Sequence, residues 1–194
     1  SLNTDKPFQL EEQKETTACL TFGKKVRAVE VRIGLSALSS ELASWECARW
    51  EKMNFAELKS QTGNQWEKQL SAIDVKGGKK DDKVIFYTSL YRAYLSPADV
   101  SSPDGAYLGT DGKVYISEDF RYYSNWSLWD TFRTKFPLLV LTEPARMRDM
   151  ATSLIHLYAT GKKDWSTGFE STPTVRTEHA VILLLDAYRK GITT

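Results

Sequence analysis

The chain has 194 residues, 41% of them apolar and 26% charged, and its 26 basic and 25 acidic side chains nearly cancel. That is the composition of an ordinary globular protein, with no charge excess to hold a phosphate backbone or an anionic lipid surface. No apolar run nears the roughly 20 residues of a membrane helix, so neither a nucleic-acid partner nor a membrane span is expected. Two cysteines, Cys19 and Cys47, make neither a disulfide framework nor a metal-ligand spacing. The opening Ser1-Leu2-Asn3-Thr4 has neither the basic nor the apolar region of a secretory signal. Aromatic residues reach 12%, more than a minimal core requires, and such an excess often lines a groove of the kind that binds sugars.

After a polar lead, Ala18, Leu20 and Phe22 alternate with polar or small residues, Gly23-Lys24-Lys25 turns the chain, and Val29, Val31, Ile33 and Leu35 alternate again. Period two over both arms predicts a hairpin, which must join a sheet or be covered by a helix to be stable. From Ser39 the pattern becomes helical. Ser40 to Glu46 begins with a capping residue, and Asn54-Phe55-Ala56-Glu57 has the spacing of a capping box for a mostly polar helix toward Leu70. Gly77-Gly78 breaks the chain. Asp81 or Asp82 is then placed to cap a helix carrying Val84, Phe86, Tyr87, Leu90, Tyr91, Tyr94 and Leu95, apolar on nearly every face and so expected to be buried.

Between Pro97 and Asn125 lies a long connection of the sort that is usually functional or inserted. Within it Ala106-Tyr107-Leu108 opposite Lys113-Val114-Tyr115, joined through Asp111-Gly112, predicts a small hairpin. Asp99, Asp104, Asp111, Glu118 and Asp119 in this stretch follow no calcium-loop pattern and read as turn residues. Thr142-Glu143-Pro144 starts a helix with Met147, Met150, Ala151, Leu154, Leu157 and Tyr158 at helical spacing up to Gly161, and Thr177 caps another that runs to Gly191. His156, beside Leu154, Ile155 and Leu157, reads as a structural histidine. Asn125-Trp126-Ser127 also matches a glycosylation sequon.

The densest cluster runs from Tyr122 to Arg133. Taken alone it is a set of aromatics around Asp130 and Arg133, which on a helix share one face and form a solvated pair. Ser127-Leu128-Trp129-Asp130-Thr131-Phe132-Arg133, with Phe136-Pro137-Leu138-Leu139 and Pro144-Ala145-Arg146 after it, resembles the start of the catalytic domain of glycoside hydrolase family 92, the calcium-dependent α-mannosidases. Phe86-Tyr87-Thr88-Ser89-Leu90-Tyr91, Leu95-Ser96-Pro97, Asp104 to Gly112 and Glu178-His179-Ala180 match in the same order.

The resemblance implies a mainly α fold with a small N-terminal β part. Residues 1–37 would be the last strands of a β-sandwich, 38–78 a helical linker, and 79–194 the first, incomplete part of an (α/α)6 barrel. It implies hydrolysis of α-linked mannose in glycans with inversion, a calcium cofactor, a secreted or periplasmic location, and the remainder of a parent polypeptide as partner. Trp129 would be a wall for the sugar, Asp130 an acceptor for its hydroxyls and Arg133 a support behind them, with Glu170, Glu178 and His179 as further substrate contacts. No catalytic residue and no metal ligand is assigned.

Where many members carry Gly-Asn-Glu-Thr-Gly, this chain has Phe169 to Thr177. The family's acid segment, Glu-Gly-Asn-x-x-Gln-Tyr, and its base segment, Gly-Asn-Asp-Asp, do not occur. Since an inverting glycosidase needs both carboxyl groups, the chain alone is expected to be inactive. The competing reading is a non-enzymatic helical module that binds glycan or protein through its aromatic loop.

Overall fold

A computed structural model describes residues 2–14, 17–160 and 179–193. These residues are mostly helical with short strands. The chain divides into two compact units, residues 1–64 and 65–194.

In the first unit, β1 (Leu2–Thr4) pairs antiparallel with β4 (Val31–Ile33), Leu2 opposite Ile33, while β2 (Phe8–Lys14) pairs with β3 (Thr17–Phe22), Phe8 opposite Phe22. The two alternating arms are therefore strands, but not partners of each other. The chain does turn after Gly23, with Val26 N–H donating to its carbonyl at 2.9 Å. Beyond that turn it is claimed by Asp5, whose N–H donates to Glu30 O at 3.2 Å and whose Oδ1 accepts the Glu30 N–H at 2.9 Å. These two bonds extend the β1–β4 ladder, whereas period two reports a strand's facing and not its neighbour.

Helix α1 (Ser40–Arg49) starts where Ser39 Oγ accepts the Leu42 N–H, and α2 (Phe55–Leu70) where the capping box closes in both directions. Asn54 N–H donates to Glu57 Oε2 at 2.9 Å, and Glu57 N–H to Asn54 Oδ1 at 3.0 Å. No residue of α2 is buried, as its polar sequence predicts. Gly34 marks a close approach, since a Cβ there would lie 1.9 Å from the Ala43 carbonyl oxygen. Arg32 ties the segment after α1, donating to Glu51 O at 2.7 Å and Met53 O at 3.1 Å while paired with Glu30.

In the second unit, α3 (Lys80–Tyr94), α4 (Lys135–Thr142), α5 (Pro144–Ala159) and α6 (His179–Arg189) accompany two small ladders, β5 (Ala98–Asp99) with β8 (Tyr123–Ser124) and β6 (Ala106–Leu108) with β7 (Val114–Ile116). The hairpin expected within the long connection is present, Tyr107 opposite Tyr115. Helix α5 is the centre of the core: Met150, Ala151, Leu154 and Leu157 are fully buried, against Leu90 and Tyr94 of α3, Phe136 and Leu139 of α4, Ala180 and Leu183 of α6, and Trp126. Pro144 opens it, as expected, although Thr142 ends α4 by donating to Leu138 O and caps nothing.

Helix α3 departs from its sequence reading. Its preceding residue is Lys79, whose N–H donates to Asp82 Oδ2 at 3.2 Å, and only Leu90 and Tyr94 of its apolar residues are buried while Val84 and Ile85 are exposed. Apolar character shows which side chains gain from burial, but the described neighbours cover a single face. Tyr87 anchors this helix to the preceding chain, its hydroxyl donating to Ile73 O and accepting from Val75 N–H. The expected Thr177 cap lies outside the described residues.

Candidate functional site

The Trp129-Asp130 segment begins with a reversal at Asn125, whose φ of 66° lies in the left-handed region that asparagine tolerates better than most residues. Trp126 and Leu128 then point into the core and Trp129 and Asp130 outward, with Trp129 54% exposed. Residues 129–134 form turns, not the helix on which Asp130 and Arg133 would share a face. Proline fits a helix only in its first turn, because it lacks an N–H and its ring clashes with the preceding turn. Pro137 accordingly sits at the third position of α4, and the helix starts no earlier than Lys135.

The turn is held by its own side chains. Ser127 Oγ donates to Asp130 Oδ1 at 2.8 Å, and Thr131 Oγ1 donates to Ser127 O. Backbone bonds from Phe132 N–H to Leu128 O and from Lys135 N–H to Thr131 O carry it into α4. Arg133 does not pair with Asp130; its guanidinium lies over the Phe132 ring, 5.1 Å from the centroid. The same ring packs 4.3 Å from that of His179, the first residue of α6. The fold thus brings Arg133 and His179 into contact with one phenylalanine, within the turn region that carries Trp129 and Asp130. Glu170 and Glu178 lie outside the described residues.

Sequence reasoning did not single out Phe132, Lys135 or Arg146, which support this region. Arg146 of α5 donates to Tyr94 O at 3.0 Å and Pro97 O at 3.3 Å and lies over the Tyr123 ring, so it holds the end of α3 against the strand leading into the turn. A cation suits that position, where the carbonyls of a helix C-terminus converge. Lys135 donates to Ser96 Oγ at 3.0 Å. Burial pushes its ammonium pKa down, Asp130 acts in the opposite direction, and Arg146 adds to the fall.

The long connection is fastened to α5 by its aromatics. Tyr107 stacks on Tyr122 with centroids 4.1 Å apart and on Tyr115 at 5.7 Å, and its hydroxyl meets His156 Nδ1 at 3.3 Å. Phe120 covers the His156 ring, so this histidine is tied into the packing. Burial pushes the Tyr122 phenol well up. Arg121 spreads over Asp99 Oδ2, Ser101 O and Ser102 O, and Asp111 accepts from Lys113 N–H and the Tyr115 hydroxyl inside its turn. Among the described residues no three of His, Cys, Asp and Glu are grouped to hold a metal ion.

Residues 42–194, which contain the turn, its supports and all of α1 beyond its first two residues, match the family model of the glycosyl hydrolase family 92 catalytic domain. The chain belongs to glycosyl hydrolase family 92. Its structure is similar to a family 92 alpha-mannosidase from Bacteroides thetaiotaomicron, at 29% identity and a TM-score of 0.75, covering 85% of this chain and 22% of that one. The same mannosidase matches equally well in its complex with mannoimidazole. The family 92 hydrolase ccman5 matches at 31% identity and a TM-score of 0.68, covering 82% of this chain and 22% of that one. An inverting family 92 mannosidase from Bacteroides thetaiotaomicron matches over 100% of this chain and 29% of its own, at 24% identity and a TM-score of 0.83, a likeness of fold alone. The chain therefore spans between 22% and 29% of the length of these family 92 structures. No curated protein matches it. No described helix is long and apolar enough to cross a membrane.

Proposed function

We propose that this chain is part of an α-mannosidase that hydrolyses α-linked mannose in glycans with inversion, and that it supplies one wall of the mannose site. The observation that carries this reading is the match of residues 42–194 to the family 92 catalytic domain, with Trp129 and Asp130 exposed on a turn braced from within. Exposed indole offers a flat apolar face to a sugar ring, and a carboxylate accepts from two adjacent hydroxyls. In the proposal Trp129 and Asp130 contact the sugar, Arg133 and His179 support them through Phe132, and Glu170 and Glu178 add polar contacts.

The finer architecture is part of the same reading: residues 1–37 as the end of a β-sandwich, 38–78 as linker, and 79–194 as the opening of an (α/α)6 barrel that the remainder of a parent polypeptide would close. A secreted or periplasmic location and a calcium requirement belong with it, the ion held by residues other than those described here. Neither the acid nor the base segment occurs in the sequence, and without a proton donor and a water-activating carboxylate on opposite faces of the bond there is no route to inversion. The chain alone is therefore inactive in this reading.

The test is titration of the 194-residue chain with methyl α-D-mannoside, followed by the Trp129 indole signal in NMR. Saturable shifts that vanish in Asp130→Ala, with no turnover of an aryl α-mannoside, are the expected outcome. Turnover by the purified chain overturns its inactivity. Binding that survives Asp130→Ala favours the aromatic-loop binding module over a mannosidase site.

A further inference from the structure

Ser127 and Asp130 are both exposed, and exposed side chains of these types ordinarily satisfy their polar atoms with water. Here they are joined instead, Ser127 Oγ donating to Asp130 Oδ1 at 2.8 Å, the usual length of a hydroxyl bond to oxygen. The serine is held from both flanks. Its neighbours Trp126 and Leu128 are only 3% and 6% exposed, so the chain on either side of it is anchored in the core. Its carbonyl accepts the Thr131 hydroxyl, and the Leu128 carbonyl accepts the Phe132 N–H at 3.2 Å. A backbone fixed by the core therefore delivers the hydroxyl, and the carboxylate it grips belongs to the outward-facing part of the turn.

The turn closes without this bond. Thr131 to Ser127, Phe132 to Leu128 and Lys135 to Thr131 already link its backbone, and none of them touches the Asp130 carboxylate. What the Ser127 hydroxyl adds is the direction in which that carboxylate faces. An aspartate tethered at one oxygen has given up its side-chain freedom before a ligand arrives, so less is lost on binding. With Oδ1 taken by the serine, Oδ2 is the oxygen presented to a ligand's hydroxyl.

We propose that Ser127 is a positioning residue of the sugar site: by holding Asp130 Oδ1 it turns Oδ2 toward the sugar and sets which hydroxyl the site selects. This rests on the reading of Asp130 as a mannose ligand. Threonine keeps the hydroxyl donor and adds one methyl group on an exposed side chain, so it should preserve the effect, whereas alanine removes the donor alone.

The experiment measures affinity for methyl α-D-mannoside and its four monodeoxy derivatives in the full 194-residue chain, in Ser127→Ala and in Ser127→Thr. Both substitutions fall on an exposed side chain outside the core cluster, and far-UV circular dichroism shows that each variant is folded. In the unaltered chain one derivative should bind about tenfold more weakly than the parent sugar, marking the hydroxyl that Asp130 accepts. Ser127→Ala should weaken binding of the parent sugar about fivefold and leave that derivative nearly unchanged, so the ratio falls to about twofold; Ser127→Thr should stay within about twofold of the unaltered chain throughout. A turn that is merely loosened lowers all five affinities alike and keeps the ratio, and that outcome overturns the positioning role alone, as does equal affinity in Ser127→Ala or loss of binding in a folded Ser127→Thr. Failure of the unaltered chain to bind, or to discriminate among the five sugars, overturns the reading of Asp130 and this proposal with it.

Discussion

Residues 1–64 and 65–194 are held by different forces. In the first unit the buried apolar side chains among those described are Ala43 and Cys47, and Val31, Ile33 and Leu35 on and after its fourth strand are exposed. What defines it is hydrogen bonding: two short ladders, the Ser39 cap, the reciprocal Asn54–Glu57 box and the reach of Arg32 to the Glu51 and Met53 carbonyls. The second unit is organised by packing around α5, where successive turns bury Met147, Met150, Leu154 and Leu157. Net hydrogen bonds contribute about 1 kcal/mol each, whereas a fully buried leucine contributes several times that once the cavity it would leave is counted. The difference teaches that the outward-facing turn at Trp129 and Asp130 owes its shape to the better packed half of the chain.

The largest effect that would test this contrast is Leu154→Ala. Removing a side chain with no exposed surface from the middle of α5 should cost about 3 kcal/mol in urea denaturation, and a loss under about 1 kcal/mol would show that the core of the second unit is looser than its burial implies. In the first unit the comparable change is Asn54→Ala. It opens one side of the capping box and should cost about 1 kcal/mol, seen as about fivefold faster hydrogen exchange in the first turn of α2. If it matched Leu154→Ala, the distinction between a packed and a hydrogen-bonded unit would fail.

The smallest effect is a dependence on pH. Burial pushes the Asp149 carboxyl on α5 above its ordinary value of 3.8; the Arg121 N–H pulls against this and Asp99 adds to it. The folded chain then holds this proton more tightly than the unfolded one, so the group favours folding most below 3.8 and that contribution is lost as pH rises through the folded value. In Asp149→Asn the corresponding fall in melting temperature above pH 4 should be absent. A variant that follows the unaltered chain over that window would assign the fall to another group.

Much of this was legible residue by residue. The capping box at Asn54, the hairpin around Asp111-Gly112 and the start of α5 at Pro144 depend on residues within a few positions of one another, and the ordered matches across the chain pointed to the family that residues 42–194 bear out. The fate of α4 was not legible. Lys135 to Thr142 is an apolar run with a proline in it, which periodicity cannot separate from a buried strand. Nor could Arg133 be placed, since its contact is the Phe132 ring and not the carboxylate three residues earlier.

The sequence by itself determined the starts of α2 at the Asn54–Glu57 box and of α5 at Pro144, because such caps and proline positions act through near neighbours. Only the tertiary structure decided which strand pairs with which, that α3 buries one face and exposes the other, and that Lys135 meets Ser96, 39 residues away. Those outcomes depend on competition among distant partners for the same hydrogen bonds and the same apolar surface, and no local pattern encodes who wins.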